Sequence, residues 1–499
     1  MQSFIELLEY GFEKNKNKVA IVYHDKNITF GQLKEKAEKV GAFLQQKGLK
    51  KGDRVVLYTP EKLPFLIAHL GIILSGGISL PLNFNFTRDE MIYFLNDSGA
   101  RFVFASNSQT KLIKEVKGAC PALKEIIDPK LIETNISKNF KEVEINKEDC
   151  CFMLYSSGTT GQPKGVVHTH ENVAKSLLSL QKCWKFNSED VLLNVLPLFH
   201  IHGLSFAAHL SLISGSVMIL EDRFHPLKTM EKIKDATVFM AVPTFYYAFL
   251  RRPEFKQKAK NWSKMRLFTC GSAPIRPEVL PEIETIIGKN LINRYGMTES
   301  HVITSLPLDG PFKQGAVGLP LDNIEMKLVD ENDKTIFKNN TAGEVKIKSE
   351  NLFSHYWRKP EATKMAFDKE GFFYTGDLGY IDRDGFLTLV GRKKDLIITN
   401  GYNVYPPIVE RVLNESPSVR ESAVIGIPDE KRGEKVVAVV VPDDKINIQE
   451  LKKHCQQKLV DYQRPLHFEI VEELPRNTMG KILKRTLKEK LTKGFKKLL

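Results

Sequence analysis

A ten-residue stretch rich in small and hydroxyl side chains, SSGTTGQPKG at Ser156–Gly165, gives the first expectation about this chain. It follows the apolar run Cys151–Tyr155, which predicts a buried strand leading into the loop. Small residues let a backbone approach phosphate closely, while hydroxyls, free N–H groups and a lysine supply hydrogen bonds and positive charge. The spacing is not that of a Walker A loop. We therefore expect a phosphate-binding loop of another type; the alternative is a polar turn.

Strand and helix signals alternate on both sides of this loop. Helical spacing of apolar residues predicts a helix over Phe30–Lys47, and short apolar runs predict strands at Arg54–Tyr58, Val191–Pro197 and Val217–Leu220. This alternation predicts parallel sheets covered by helices. After about residue 310, short strands and Gly or Asp turns predict a smaller β unit, and the last hundred residues return to an α+β pattern with a helix over Ile448–Lys458.

Length and composition restrict the class of protein. A chain of 499 residues predicts two or more domains. Its six cysteines show no CxxC spacing, so we expect reduced thiols and neither a zinc site nor a disulfide framework. No basic leader with an apolar run is visible at the start, and a cytoplasmic location is expected. The net charge of +13 is spread along the chain, which argues against a nucleic-acid interface.

Six further motifs follow the loop in order: LPLFH at Leu196–His200, GSAP at Gly271–Pro274, RYGMTE at Arg294–Glu299, YTGD at Tyr374–Asp377, GRKKD at Gly391–Asp395 and PRNTMGK at Pro475–Lys481. With the loop, they resemble the adenylate-forming superfamily of acyl-CoA synthetases, luciferases and nonribosomal peptide adenylation domains. The similarity runs from about residue 28 to 485. A single such motif arises by chance, but seven in the family's order do not.

The resemblance implies an α/β fold with a large N-terminal domain of layered α/β subdomains plus a β subdomain, and a small mobile C-terminal α+β domain. The expected boundaries are 1–393 for the N-terminal adenylation (AMP-binding) domain and 394–499 for the C-terminal mobile domain. Lys394 resembles the hinge position about which the C-terminal domain rotates between two half-reactions.

The implied activity is ATP-dependent activation of a carboxylic acid as an acyl-adenylate, followed by transfer of the acyl group to coenzyme A. Both partners of the first step are anions, so catalysis needs positive charge and a metal ion. The resemblance implies that Glu299 holds Mg²⁺, that Thr298 contacts phosphate, and that Lys481 stabilises charge between the substrate carboxylate and the α-phosphate. By composition alone, Glu299 and Lys481 would be ordinary surface residues.

The ATP-binding set implied by the resemblance is Ser156, Ser157, Gly158, Thr159, Thr160, Lys164, Gly271, Ser272, Ala273, Tyr295, Gly296, Met297, Asp377 and Arg392. Within it, Asp377 is expected to accept the ribose hydroxyls and Arg392 to lie on the ribose or phosphate side. His200 matches the family's histidine beside the acyl site and is counted as catalytic. His202 is expected further along the acyl pocket wall.

The second half-reaction is expected to use the loop Gly401, Tyr402 and Asn403, which would line the pantetheine tunnel of coenzyme A after the rotation. One position departs from the family. Ile408 stands where a Glu is common, which puts in doubt any contact that this Glu would make when the C-terminal domain closes.

The substrate acid is less defined. Several motifs are similar to those of malonyl-CoA synthetases, but Ala248 stands where malonate-activating relatives carry an Arg. Arg251 and Arg252, one helical turn away, are the candidates to compensate. Without a pocket cation an apolar acyl chain is better accommodated, so the sequence favours a fatty acid over malonate.

Other function classes remain as alternatives. An adenylation enzyme that loads a carrier protein in trans uses the same first half-reaction, whereas nothing in the sequence indicates the luciferin pocket of a luciferase-like oxygenase. The amphipathic, lysine-rich tail Leu487–Leu499 is a candidate for peripheral contact with an anionic membrane, with a solvated terminal helix as the alternative.

Overall fold

The computed structural model describes residues 3–130, 139–156, 162–444, 446–476 and 482–495. The α-helices in this part of the chain are α1 (Phe4–Lys14), α2 (Phe30–Gln46), α3 (Lys62–Leu74), α4 (Arg88–Ser98), α5 (Asn107–Val116), α6 (His170–Cys183), α7 (Leu210–Ile213), α8 (Pro226–Ile233), α9 (Pro243–Leu250), α10 (Glu254–Ala259), α11 (Leu280–Ile287), α12 (Pro360–Met365), α13 (Pro406–Asn414), α14 (Ile448–Lys458) and α15 (Lys484–Phe495). A π-helical segment, His202–His209, precedes α7.

The strands are β1 (Val19–Tyr23), β2 (Lys26–Thr29), β3 (Arg54–Tyr58), β4 (Ile78–Pro81), β5 (Phe102–Ala105), β6 (Glu125–Ile127), β7 (Cys150–Ser156), β8 (Lys164–Thr169), β9 (Val191–Asn194), β10 (Val217–Leu220), β11 (Val238–Ala241), β12 (Leu267–Cys270), β13 (Leu291–Met297), β14 (His301–Ser305), β15 (Leu319–Pro320), β16 (Ile324–Val329), β17 (Gly343–Ser349), β18 (His355–Tyr356), β19 (Phe373–Ile381), β20 (Leu387–Arg392), β21 (Ile397–Thr399), β22 (Tyr402–Val404), β23 (Val419–Asp429), β24 (Gly433–Pro442) and β25 (His467–Ile470).

Two compact units divide the chain. Unit 1 comprises Met1–Gln314, Gly318–Glu325 and Lys348–Gly371; unit 2 comprises Gly315–Val317, Met326–Ile347 and Phe372–Leu499. These units are defined by how the residues pack. The predicted boundary at 393/394 concerns where the chain hinges, and that boundary stays a prediction.

Unit 1 contains two large sheets. One has nine strands in the order β15-β14-β13-β12-β11-β9-β10-β1-β2, and the other has seven in the order β18-β8-β7-β4-β3-β5-β6. Their central pairs are parallel, as in β3–β4 and β11–β12. The strand–helix alternation in the sequence predicted parallel pairs, because parallel neighbouring strands are joined by a crossover connection that is usually a helix. The predicted α/β class is confirmed.

The local signals that define these elements are visible in the sequence. Thr29 caps α2 and forms a reciprocal capping box with Gln32, which fixes where that helix begins. α3 is apolar all round and almost entirely buried, as expected for a helix inside a large domain. The predicted strand Arg54–Tyr58 and helix Ile448–Lys458 have the predicted bounds.

Unit 2 contains most of the four-stranded sheet β16-β17-β19-β20, and the five-stranded sheet β22-β21-β24-β23 in which β25 pairs with β24. Valines of β24 alternate between two apolar clusters, one on each face of this second sheet. α13 and α14 cover one face, and Leu487 of α15 packs on the other.

Candidate active site

The phosphate loop is anchored where its two flanking strands pair. β7 and β8 are antiparallel, and Ser156 lies opposite Lys164 in their register. The Tyr93 hydroxyl donates to the Pro163 carbonyl oxygen at 2.6 Å, which fixes the second end of the loop. The predicted ATP ligands Ser157, Gly158, Thr159 and Thr160 lie outside the described residues.

The RYGMTE motif forms the end of β13 and the turn into β14. Tyr295, Gly296 and Met297 are on the strand, and Thr298 and Glu299 are in the turn. A Cβ atom on Gly296 would lie 2.1 Å from the His301 carbonyl oxygen, so this hairpin tolerates glycine alone at that position. The turn places Glu299 beside the phosphate loop, where its carboxylate contacts Ser156. Glu299 is buried there, with 7% of its surface exposed.

The Glu299 carboxylate receives two hydroxyl donors on one oxygen. Ser156 Oγ donates to Oε1 at 3.1 Å, and the Tyr356 hydroxyl donates to the same oxygen at 3.2 Å. The Lys164 ammonium lies 4.8 Å from the centre of the Tyr356 ring. The structure therefore brings together three predicted residues, Ser156, Lys164 and Glu299, around one tyrosine that the sequence interpretation missed.

The donor set at Glu299 fits a magnesium ion shared with ATP. Mg²⁺ prefers oxygen ligands and is usually held by one or two carboxylates together with substrate phosphates. Among the described residues, no group of three or more His, Cys, Asp or Glu side chains is placed to hold a metal ion by itself. A single carboxylate beside a phosphate loop matches that mode of binding.

The GSAP motif lies after β12, next to a buried arginine. A Cβ on Gly271 would lie 2.6 Å from Arg294 Nε, so the glycine makes room for that guanidinium. Ser272 has a left-handed backbone (φ 70°) and its hydroxyl lies 3.2 Å from His202 Nδ1 and 3.3 Å from Arg294 Nη2. Ser272 of the predicted ATP-binding set is thus joined to His202 of the predicted acyl wall.

Arg294 is 3% exposed, and in the described part of the chain no carboxylate forms an ion pair with it. Its Nε has no hydrogen-bond partner there, and its guanidinium lies 5.0 Å from the centre of the Phe206 ring. Burial lowers the pKa of Arg294 to about 10, which still leaves it charged at neutral pH. The sequence interpretation quoted this residue in its motif but gave it no role.

The two histidines of the predicted acyl site differ in exposure. His202 is fully buried, and burial lowers its pKa well below the usual value, with the Arg294 and His200 charges acting in the same direction. His200 is half-buried, and its Nδ1 accepts the His202 backbone N–H at 3.3 Å. Solvent therefore reaches His200 and not His202.

In unit 2, Asp377 and Arg392 face each other across β19 and β20. The Arg392 Nε lies 3.0 Å from Asp377 Oδ1, and Asp377 is 5% exposed. Lys394, the predicted hinge residue, is exposed in the 3₁₀ turn Lys393–Asp395 that leads to β21. The predicted pair of nucleotide ligands is thus preassembled as an ion pair.

The predicted coenzyme A loop spans the β21–β22 turn and the start of β22: Gly401 lies in the turn, and Tyr402 and Asn403 are the first residues of β22. Gly401 has a φ of 79°, Tyr402 and Asn403 are exposed, and the Tyr402 ring stacks on Tyr462 at 4.6 Å. Ile408, the departure from the family, packs at the edge of the apolar cluster under α13. Lys481, the predicted catalytic lysine, lies outside the described residues.

Comparison with known families decides the assignment. A model described as AMP-binding enzyme matches residues 8–357, and one described as AMP-binding enzyme C-terminal domain matches residues 408–481. The chain belongs to the AMP-binding enzyme family. The resemblance to the adenylate-forming superfamily is therefore confirmed, and with it the expected large and small domain architecture.

Relatives of this AMP-binding enzyme cover nearly its full length. It is 31% identical to a malonate–CoA ligase from Arabidopsis thaliana (98% of this chain, 89% of the relative) and 32% identical to a long-chain-fatty-acid–CoA ligase from Bacillus subtilis (96% and 92%). The solved structure of ATP-bound MatB from Rhodopseudomonas palustris superposes with a TM-score of 0.93 at 36% identity, covering 97% of this chain and 98% of that one. Within the described ranges, no helix has the length and apolar character needed to cross a membrane.

Proposed function

We propose that this AMP-binding enzyme is a carboxylic acid–CoA ligase. In the first half-reaction a carboxylate oxygen attacks the α-phosphorus of ATP and pyrophosphate leaves. In the second, the sulfur of coenzyme A attacks the acyl carbon and AMP leaves. The observation that carries the proposal is the joining of Ser156, Lys164 and Glu299 at the phosphate loop through hydroxyl and cation–π contacts.

The chain's residues divide the first step between them. Lys164 supplies positive charge at the loop, and Glu299 is the carboxylate that would hold Mg²⁺. The ion would neutralise charge on the ATP phosphates. Asp377 would accept the ribose hydroxyls, and Lys481 would stabilise charge at the reacting carboxylate. For the second step, Gly401, Tyr402 and Asn403 are proposed to contact coenzyme A.

The buried Arg294 supports an acid with a second anionic group. Burying a charged guanidinium without a counter-charge carries a desolvation free energy of several kcal/mol. Arg294 has a hydroxyl and an aromatic face as partners, so its environment becomes favourable when an anion binds against it. Ser272 links it to His202 on the predicted acyl wall. These contacts support a short dicarboxylate, the class to which malonate belongs, as the first candidate acid.

A fatty acid is the second candidate, because α9 lacks a cation at the position that malonate-activating relatives use. Ala248 stands there, and Arg251 and Arg252 are both exposed, so neither replaces a pocket cation at that position. The aromatic side chains of α9, including Phe245 stacked on Phe224 at 3.8 Å, would suit an apolar chain.

AMP formation with ATP, Mg²⁺ and a panel of acids (acetate, malonate, octanoate, palmitate and a cinnamate), with and without coenzyme A, tests these alternatives. We expect coenzyme A-dependent turnover to be strongest on malonate, and Arg294→Met to lower kcat/KM on malonate by at least about tenfold through loss of a charged hydrogen bond. Arg251→Met, at the surface, is the matched control and should leave turnover unchanged.

The other outcomes are equally informative. Preference for octanoate or palmitate, unaffected by Arg294→Met, would select the fatty acid. Turnover with an added carrier protein in place of coenzyme A would select carrier loading. No AMP with any acid would reject the ligase proposal for this panel.

Contact with an anionic membrane through the basic tail also remains a proposal, as does the cytoplasmic location. Leu487 of α15 is 5% exposed and belongs to the core of unit 2, so a contact would rely on lysines and not on that apolar face. Sedimentation with anionic and neutral vesicles tests it, and equal binding to both would contradict a charge-driven contact.

A further inference from the structure

Tyr356 is the point at which three predicted ATP and metal residues meet, and no motif or match assigns it a role. Its hydroxyl donates to Glu299 Oε1 at 3.2 Å, the same oxygen that Ser156 Oγ reaches at 3.1 Å. The face of its ring lies 4.8 Å below the Lys164 ammonium. The tyrosine is 7% exposed, so each contact is largely shielded from water.

The segment that carries Tyr356 is fixed to both sides of this site. β18 pairs antiparallel with β8, and the backbone N–H of Trp357 donates to Gly165, the last residue of the phosphate loop, at 2.7 Å. At the other end, the backbone N–H of Phe353 donates to the Glu299 carbonyl oxygen at 2.7 Å. The five residues 353–357 therefore hold the backbone of Glu299 and the end of the loop in one frame.

From this geometry we infer that Tyr356 is a positioning residue for metal-bound ATP. Its hydroxyl fixes the rotation of the Glu299 carboxylate, and its ring fixes the Lys164 ammonium. The inference rests on the proposed function, since it gives Glu299 and Lys164 the roles stated there. Groups that orient a metal ligand typically affect metal affinity by about 10- to 100-fold when removed.

The two halves of this role are separated by two substitutions. Tyr356→Phe removes the hydroxyl and keeps the ring under Lys164, whereas Tyr356→Leu removes both. Tyr23→Phe is the matched control, because the Tyr23 hydroxyl also donates to a carboxylate, that of Asp222 at 2.9 Å, away from the proposed ligands. Thermal unfolding of each variant checks that unit 1 remains folded.

The measurement is direct binding, independent of turnover: Mn²⁺ affinity of the enzyme–ATP complex by electron paramagnetic resonance, and ATP affinity without metal by calorimetry. We expect Tyr356→Phe to weaken Mn²⁺ binding at least about tenfold while metal-free ATP binding changes less than about twofold. Tyr356→Leu should weaken both. Tyr23→Phe should change neither.

The outcomes separate the inference from the proposed function. If the wild type binds ATP and Mn²⁺ but folded Tyr356→Phe matches it within about twofold, Tyr356 does not position the ligand and the inference is overturned, while the ligase proposal stands. If Tyr356→Phe loses metal-free ATP binding as strongly as Tyr356→Leu, the hydroxyl acts on the loop and not on the metal ligand, and the inference is again overturned. If the wild type binds no ATP, the proposed function itself fails.

Discussion

Acidification from pH 7.5 to 5.5 should remove most of the stability of unit 1, because six of its histidines are held neutral in the interior. All six are at most 1% exposed: His69, His168, His170, His202, His209 and His301. Burial lowers the pKa of His69 to about 3 and of His170 and His301 to about 4, and holds the other three well below the usual value.

The direction follows from proton binding in the two states. Unfolded histidines take up protons as the pH falls through about 6.5, while the buried ones stay neutral until the pH is far lower, so stability is full above pH 6.5 and is lost below it. Each histidine contributes on the order of 1 kcal/mol between pH 7.5 and 5.5, hence several kcal/mol for six. Domain stabilities are about 5–15 kcal/mol, so this loss is comparable with the whole.

The assay is proton uptake on unfolding at pH 5.5, obtained from unfolding enthalpies in buffers of different ionisation enthalpy. On unfolding, the six histidines together should take up about five to six protons at pH 5.5 and fewer than about one at pH 7.5. His209→Asn should lower the uptake by about one proton, because one buried neutral histidine is removed. An uptake below about two protons at pH 5.5 would refute the reasoning.

Three further substitutions test individual contacts. Gly296→Ala should destabilise unit 1 by more than about 2 kcal/mol and abolish AMP formation, since its Cβ would overlap the His301 carbonyl; unchanged thermal unfolding would contradict this. Asp377→Asn should raise the KM for ATP at least about tenfold through loss of a charged acceptor, measured by ATP–pyrophosphate exchange, with an unchanged KM as the contrary result. Glu410→Gln should cost unit 2 about 2 kcal/mol, seen in denaturant unfolding, because Glu410 Oε1 accepts from Lys484 at 2.6 Å and from the Val424 N–H at 2.8 Å; a shift within about 0.5 kcal/mol would contradict it.

Local patterns predicted the framework well, because they are set by residues close together in the chain. The strand Arg54–Tyr58 is a continuous apolar run with a polar start, and α14 over Ile448–Lys458 has a polar cap and helical spacing. The strand before the phosphate loop was also recognisable, since Cys151–Tyr155 is followed at once by glycines and hydroxyls. Its pairing with β8 then follows from the short connection.

The missed parts of the candidate site arise from contacts between distant segments. Tyr356 lies in a two-residue strand and reaches Glu299 only because β18 pairs with β8. Within the described ranges no carboxylate pairs with Arg294, which is a property of its surroundings in three dimensions that no spacing in the sequence encodes. Burial of the six histidines is likewise invisible locally, since lone histidines occur in both core and surface positions.

The same buried histidines decide how an acid limb in the pH profile of AMP formation should be interpreted. His202 bonds to Ser272 of the predicted nucleotide set, and the His168 and His301 rings meet at 4.5 Å directly after the Glu299 turn. Unfolding of this interior below pH 6.5 would remove activity without any catalytic group titrating. Circular dichroism in the same buffers separates the cases: an acid limb that coincides with unfolding of unit 1 is explained by these histidines, whereas activity that falls near pH 6 while unit 1 stays folded excludes them as its cause.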